Sequence, residues 1–133
     1  MHDSYGILIV NANDTTHADV AVHFGFIPSQ IGTGPTTPTA AGQADPVFAG
    51  PFGAVSSVSE AFNMSVFPSV PGGATVLGKD PIGPTVVVYK YGSGKIIVLG
   101  NIEMIANNFL SAGTTITTQS DIFLCNIFAS VYK

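Results

Sequence analysis

Charged residues are scarce in this chain of 133 residues, and arginine and tryptophan are absent. Charged side chains make up 9% of the sequence, so much of the surface must consist of Ser, Thr, Asn, Gly and Pro. Four lysines stand against eight acidic residues, and no basic run is present that would neutralise a row of phosphates. This composition argues against a nucleic-acid partner, and a weakly charged surface favours self-association.

Cysteine occurs once, at Cys125 in an apolar segment, which excludes an intrachain disulfide and predicts a buried thiol. The sequence also lacks a secretory leader and an apolar run long enough to span a membrane, so we expect a cytoplasmic protein without membrane contact. The turn Tyr91 to Lys95 has some likeness to a phosphate loop but lacks Walker spacing. We expect neither a cofactor nor a bound metal ion.

Two segments near the start carry clear secondary-structure signals. The β-branched run Gly6 to Asn11 predicts a central strand covered on both faces. Asp14 or Thr15 then caps a predicted helix over His17 to Phe24, for which Gly25 is the C-terminal stop. The order of strand, polar turn and helix is typical of an α/β domain.

The middle of the chain divides into a predicted loop and a predicted hairpin. The Gly/Pro/Thr-rich stretch at about 28–46 has no periodicity and predicts a loop. The runs Thr85 to Lys90 and Lys95 to Gly100 flank a Gly-rich turn and predict a β-hairpin, preceded by a strand at Ala74 to Gly78. The pattern of residues 47–73 leaves strand and helix both open.

A C-terminal helix completes the predicted domain. Ser120 or Asp121 is its expected N-cap. Its apolar stripe, which should pack on the sheet, consists of Ile122, Phe123, Ile127, Phe128 and Val131. Together these elements predict one α/β domain over residues 1–133, with a mostly parallel sheet, a C-terminal β-hairpin and flanking helices.

The order of these elements resembles that of the class I glutamine-amidotransferase-like superfamily, which has a flavodoxin-like fold. The matching pieces are Gly6 to Phe24, Thr85 to Gly100, Asn101-Ile102-Glu103 and Asp121 to Tyr132. In active members a cysteine nucleophile follows the first of these strands, and a His-x-Glu follows the last. Here Asn11 or Ala12 stands in place of the nucleophile and Asn101 in place of the base, so the resemblance implies a relative without that catalysis.

The resemblance also implies a truncated sheet, because the family strands that precede the nucleophile strand have no counterpart here. A truncated sheet exposes an open edge, and open edges pair with other chains. We therefore expect a homodimer, or a complex with another protein chain.

Polar residues follow the first and the last predicted parallel strands at their carboxyl ends, where open α/β sheets bind ligands. The candidate ligand-binding residues are Asn11, Asn13, Asp14, His17, Asn101, Glu103, Asn107 and Asn108. Their amides and carboxylates suit a neutral polar ligand such as a sugar, although Asn and Asp also cap helices and turns. His17, Asp14 and Glu103 offer three ligands for a metal, but their spacing does not match a known metal site.

Two functions follow from these observations. The first is a non-catalytic binding or assembly domain that self-associates through its exposed sheet edge. The alternative is a domain that binds a small polar, sugar-like ligand, or an unrecognised hydrolase that uses Asp14, His17 and Glu103 in the crevice.

Overall fold

The computed structural model describes residues 6–11, 19–28, 30–59, 64–106 and 109–130. The strands are β1 (Ile7–Asn11), β2 (Gln30–Ile31), β3 (Thr37–Pro38), β4 (Ala49–Gly50), β5 (Gly53–Ala54), β6 (Ser65–Val66), β7 (Ala74–Lys79), β8 (Pro84–Tyr91) and β9 (Gly94–Leu99). The helices are α1 (Asp19–His23), α2 (Ala40–Ala44), α3 (Gln119–Ala129) and a 3-10 helix (Ile102–Ile105). No helix in these ranges is long and apolar enough to cross a membrane.

A five-stranded sheet forms the centre of the fold, in the order β1-β9-β8-β7-β3. β1 and β9 are parallel, whereas the pairs β9-β8, β8-β7 and β7-β3 are antiparallel. The mixed α/β class is confirmed, but the prediction of a mostly parallel sheet is wrong. Short turns join β7 to β8 and β8 to β9, and such turns can connect only antiparallel neighbours.

The predicted hairpin is confirmed as β8 and β9. The two strands pair from Val86 with Leu99 to Tyr91 with Gly94, and Gly92 in the turn has a φ of 58°. Glycine adopts this left-handed conformation without strain, as tight hairpin turns require. The strand expected just before the hairpin is also present, as β7.

β1 lies at the edge of the described sheet, so the prediction of a central strand is wrong. Its apolar sequence reflects partial cover on both faces: Ile7 and Ile9 pack against one core cluster, and Val10 belongs to the other. Leu8 between them is 45% exposed. The strand buried on both faces is β9, whose residues 96–99 are all buried.

The two core clusters lie on opposite faces of the sheet, and β9 contributes alternate residues to each. The α3-side core includes Val86, Ile97, Leu99, Phe123 and Ile127. The α1-side core consists of Val10, Ala21, Phe26, Phe67, Val87, Ile96 and Val98. Each face of the sheet is therefore covered by a helix.

α1 ends as the sequence predicts. Gly25 has a φ of 88°, and its N–H donates a hydrogen bond to the Val22 carbonyl oxygen, which closes the last turn. The expected caps Asp14 and Thr15 lie outside the described residues.

The predicted C-terminal helix is confirmed as α3, but it begins earlier than expected. Thr118 is the N-cap, and its hydroxyl accepts a hydrogen bond from Asp121 N–H at 3.0 Å. The Asp121 carboxylate in turn accepts one from Thr118 N–H at 2.7 Å. Ser120 and Asp121 therefore lie inside the first turn, as part of a capping box.

The apolar stripe of α3 is narrower than predicted. Phe123 and Ile127 are buried and Ile122 packs at the rim of the core, whereas Phe128 is 56% exposed. Phe128 is turned by about 100° from Ile127 around the helix axis, which takes its side chain away from the sheet. Val131 lies outside the described residues.

The stretch at about 28–46 is not the loop that its composition predicts, because it contains β2, β3 and α2. Thr39 caps α2: its hydroxyl accepts a hydrogen bond from Gly42 N–H and donates one to the Val76 carbonyl oxygen of β7. A Cβ on Gly42 would lie 1.9 Å from the Leu77 carbonyl oxygen. Thr39 and Gly42 thus allow α2 to pack closely on β7. Because threonine and glycine are also common in loops, their presence gave this segment the composition of a loop.

Asp121 joins the segment before α3 to the first turn of the helix. Its carboxylate accepts hydrogen bonds from the Ser111 hydroxyl at 2.7 Å, from Thr118 N–H at 2.7 Å and from Thr117 N–H at 3.0 Å. The Ser111 N–H donates a further bond at 2.9 Å. These bonds, with the Ser111 hydroxyl first, stabilise the ionised form and hold the pKa of Asp121 well below its usual range.

We predict that Asp121 makes the stability of the fold dependent on acid pH. Because its pKa is lowered on folding, its stabilisation is complete above the unfolded-state pKa of about 4 and is lost as the pH falls toward the folded-state pKa. The Asp121→Asn variant should have a lower Tm than wild type at neutral pH, and its Tm should change less between about pH 5 and about pH 2. Thermal unfolding followed by circular dichroism tests this. The same acid-induced change of Tm in both proteins would contradict it.

Candidate functional site

The carboxyl ends of β1 and β9 lie side by side because these two strands are parallel. Asn11 lies opposite Leu99 in the pairing register, so the chain leaves both strands at the same end of the sheet. This is the end at which open α/β sheets bind their ligands. The two polar segments selected from the sequence therefore start from neighbouring positions.

Three of the candidate residues are described by the structure. Asn11 ends β1, Asn101 follows β9, and Glu103 lies in the 3-10 helix. The remaining candidates, Asn13, Asp14, His17, Asn107 and Asn108, lie outside the described residues. The geometry of the site therefore rests on Asn101 and Glu103.

Asn101 is fully buried and is the N-cap of the 3-10 helix. Its Oδ1 accepts a hydrogen bond from Glu103 N–H at 2.8 Å, as expected of an asparagine that caps a helix. This bond determines the orientation of the amide, because a flipped side chain would place two donors against each other. Nδ2 therefore points elsewhere, and it has no hydrogen-bond partner among the described residues.

Glu103 carries the second unsatisfied polar atom of the site. Its Oε2 is enclosed and, within the part of the chain that the structure describes, accepts no hydrogen bond. A buried polar atom without a partner costs about 1 to 3 kcal/mol, which is why such atoms are rare in folded proteins. Asn101 Nδ2 is an unpaired donor and Glu103 Oε2 is an unpaired acceptor among the described residues.

The backbone at Gly100 holds Asn101 in this position. Gly100 N–H donates to the Thr85 carbonyl oxygen at 2.8 Å, and the Gly100 carbonyl oxygen accepts from Ser65 N–H at 3.0 Å. A Cβ on Gly100 would lie 2.2 Å from the Ser65 carbonyl oxygen, so only glycine fits between these strands. Sequence reasoning missed Ser65, because the pattern of residues 47–73 indicated neither strand nor helix.

Asp80 is a buried carboxylate with a structural role. Its Oδ2 accepts from the N–H groups of Thr33 and Gly34, and its Oδ1 accepts from those of Ile82 and Gly83. Both oxygens are thus satisfied by backbone donors, which join the turn after β7 to the loop before β3. This full set of partners distinguishes Asp80 from Glu103.

The described site offers hydrogen bonding and no nucleophile of its own. The Asn101 carboxamide cannot act as a general base near neutral pH. Among the described residues, no three His, Cys, Asp or Glu side chains are grouped so that they could hold a metal ion. Cys125 on α3 is half-buried and not fully buried as predicted, since α3 turns the side with Phe123 and Ile127 toward the sheet.

A scan against protein-family models gave no match, and neither did comparisons with curated proteins and with solved structures. The resemblance to the glutamine-amidotransferase-like superfamily therefore stays a prediction.

Proposed function

We propose that this chain is a non-catalytic binding or assembly domain that self-associates through the edge of β1. The supporting observation is the position of β1, which pairs with β9 alone within the described residues. An edge strand presents a row of unpaired N–H and C=O groups, which is a template for a strand of another chain.

The backbone groups available for pairing are those of Ile7 and Ile9. Lys95 N–H donates to the Gly6 carbonyl oxygen at 3.1 Å, so Gly6 turns its backbone groups toward β9. This direction alternates along a strand, and Ile7 and Ile9 therefore turn their N–H and C=O groups away from β9.

The surface beside this edge exposes several apolar side chains. Leu8 is 45% exposed, and α1, which contacts β1, exposes Val20 and Val22 by 53% and 51%. Edge strands that avoid pairing commonly carry lysine or proline, and β1 has neither. A second copy of the chain presents the same edge, so a two-fold axis would join two β1 strands antiparallel and merge the two sheets.

We predict that Leu8→Lys converts the dimer into a monomer. Dimerisation of the wild type would bury the exposed half of Leu8 in each copy, which is worth about 1 kcal/mol per copy. Because the variant loses this burial in both copies, its dissociation constant should be roughly 30-fold higher. Lysine also places like charges near the two-fold axis. Molar mass measured by light scattering over a wide concentration range provides the readout.

Ile116→Lys is the matched control, because Ile116 is 41% exposed in the segment before α3 and lies far from β1 in the chain. This variant should dimerise as wild type does. A wild-type chain that stays monomeric at high concentration, or equal weakening by both variants, would refute the proposal.

Asn101 and Glu103 favour a second function, the binding of a small polar, sugar-like ligand at the carboxyl ends of β1 and β9. A hydroxyl group both donates and accepts hydrogen bonds, so the hydroxyls of a sugar have the chemistry to pair with Nδ2 as acceptors and with Oε2 as donors. A ligand that lacked hydroxyl groups would leave these atoms unsatisfied, and sites of this kind discriminate strongly for that reason.

We predict that Glu103→Met raises the free energy of unfolding by about 1 kcal/mol and abolishes stabilisation by sugars. Methionine fills a similar volume and removes the unpaired oxygen. Tm values with and without a panel of monosaccharides provide the test, with Asp19→Ala, which removes an exposed carboxylate on α1, as the control. If no sugar raises the Tm of wild type, this second function is wrong.

A further inference from the structure

A pocket of about 410 Å³ lies at the opposite end of the sheet from Asn101. It crosses the neighbouring strands β1, β9, β8 and β7, and Ser130, which follows α3, also lines it. Ile7 and Val88 line it and pack against the α3-side core, so the pocket lies on that face of the sheet. Its volume is within the range of small-molecule sites.

The pocket lies where the sheet continues past the end of α3. Val86, Val88 and Lys90 follow one another on the same face of β8, and they are buried, half-buried and exposed in turn. The cover that α3 gives to this face therefore decreases along the strand, and the helix ends at Ala129. Beyond it, the half-buried side chains of Ile7 and Val88 form an apolar floor.

The sides of the pocket add methylene groups and hydroxyl groups. Lys90 and Lys95 are among the lining residues, and lysine side chains cover apolar surface with their methylene stems. Thr75 is directly opposite Val88 in the pairing of β7 with β8, so the two side chains lie on the same face. Thr75 and Ser93 are exposed at the rim. A mainly apolar lining with a few polar groups is typical of sites for small organic ligands.

Ser130 brings a buried hydrogen-bond acceptor to this lining. Its residue surface is 6% exposed, and its hydroxyl donates a hydrogen bond to the Ile127 carbonyl oxygen at 2.7 Å. The hydroxyl proton is thus used, so Ser130 Oγ can only accept a further bond, and no described residue donates one. The carbonyl end of α3 is also here and carries about half a negative charge, which favours a ligand that donates hydrogen bonds.

We propose that this pocket binds a small apolar molecule that carries an O–H or N–H group, such as an aromatic alcohol or an indole. Its ring lies against Ile7 and Val88, and its O–H or N–H group donates a hydrogen bond to Ser130 Oγ. A molecule of the same shape without the donor leaves this buried oxygen unpaired and binds less tightly. The pocket and the pair of Asn101 and Glu103 lie at opposite ends of the sheet, so the two sites can be tested separately.

Indole and 1-methylindole are suitable probes, because they share the ring system and differ in the N–H donor. Isothermal titration should show that indole binds wild type about fivefold more tightly than 1-methylindole, as expected for one hydrogen bond. Ser130→Ala should bind the two probes about equally, since it removes the acceptor. If Ser130 only stabilised the end of α3, the variant would weaken both probes alike and keep the fivefold ratio.

Thr75→Trp should abolish indole binding, because the larger side chain fills the pocket beside Val88. Thr37→Trp is the matched control, since Thr37 is exposed on β3 and does not line the pocket. It should bind indole as wild type does, and unchanged circular dichroism spectra should show that all three variants are folded. The proposal is overturned if indole does not bind wild type, if the fivefold ratio persists in Ser130→Ala, or if Thr37→Trp weakens binding as much as Thr75→Trp.

Discussion

Burial of β9 on both faces is the constraint on which the rest of the structure depends. Residues 96–99 are all buried, with alternate side chains in the two core clusters. β8 pairs with β9 on one side in antiparallel orientation, and β1 pairs on the other side in parallel orientation. This arrangement puts β1 at an edge, Asn101 at one end of the sheet and Lys95 at the other.

Elements defined by local signals were predictable from the sequence. The hairpin of β8 and β9 has a glycine turn between two β-branched runs, and α3 has an apolar stripe after a capping box. The edge position of β1 was not predictable, because a strand that is partly covered on both faces has the same continuous apolar sequence as a central strand. α2 was missed for a related reason: Gly42 is required by the approach of Leu77, which is distant in the sequence.

The residues of the candidate sites could be selected from the local sequence, whereas the contacts that they make could not. Asn101 and Glu103 were selected because they follow a strand, which is a local signal. Their unpaired atoms depend on the position of Gly100 between Thr85 and Ser65, which only the folded chain shows. Likewise, the meeting of Thr75 with Val88 in the pocket depends on the register of β7 with β8.

Pairing of β1 with a second copy is tested most directly by amide hydrogen exchange, measured residue by residue at several protein concentrations. The Leu8 N–H faces β9 and is protected in the monomer and in the dimer, whereas the N–H groups of Ile7 and Ile9 face outward. Protection of Ile7 and Ile9 should therefore rise with protein concentration while that of Leu8 stays constant. Fast exchange at Ile7 and Ile9 at every concentration would contradict assembly through this edge.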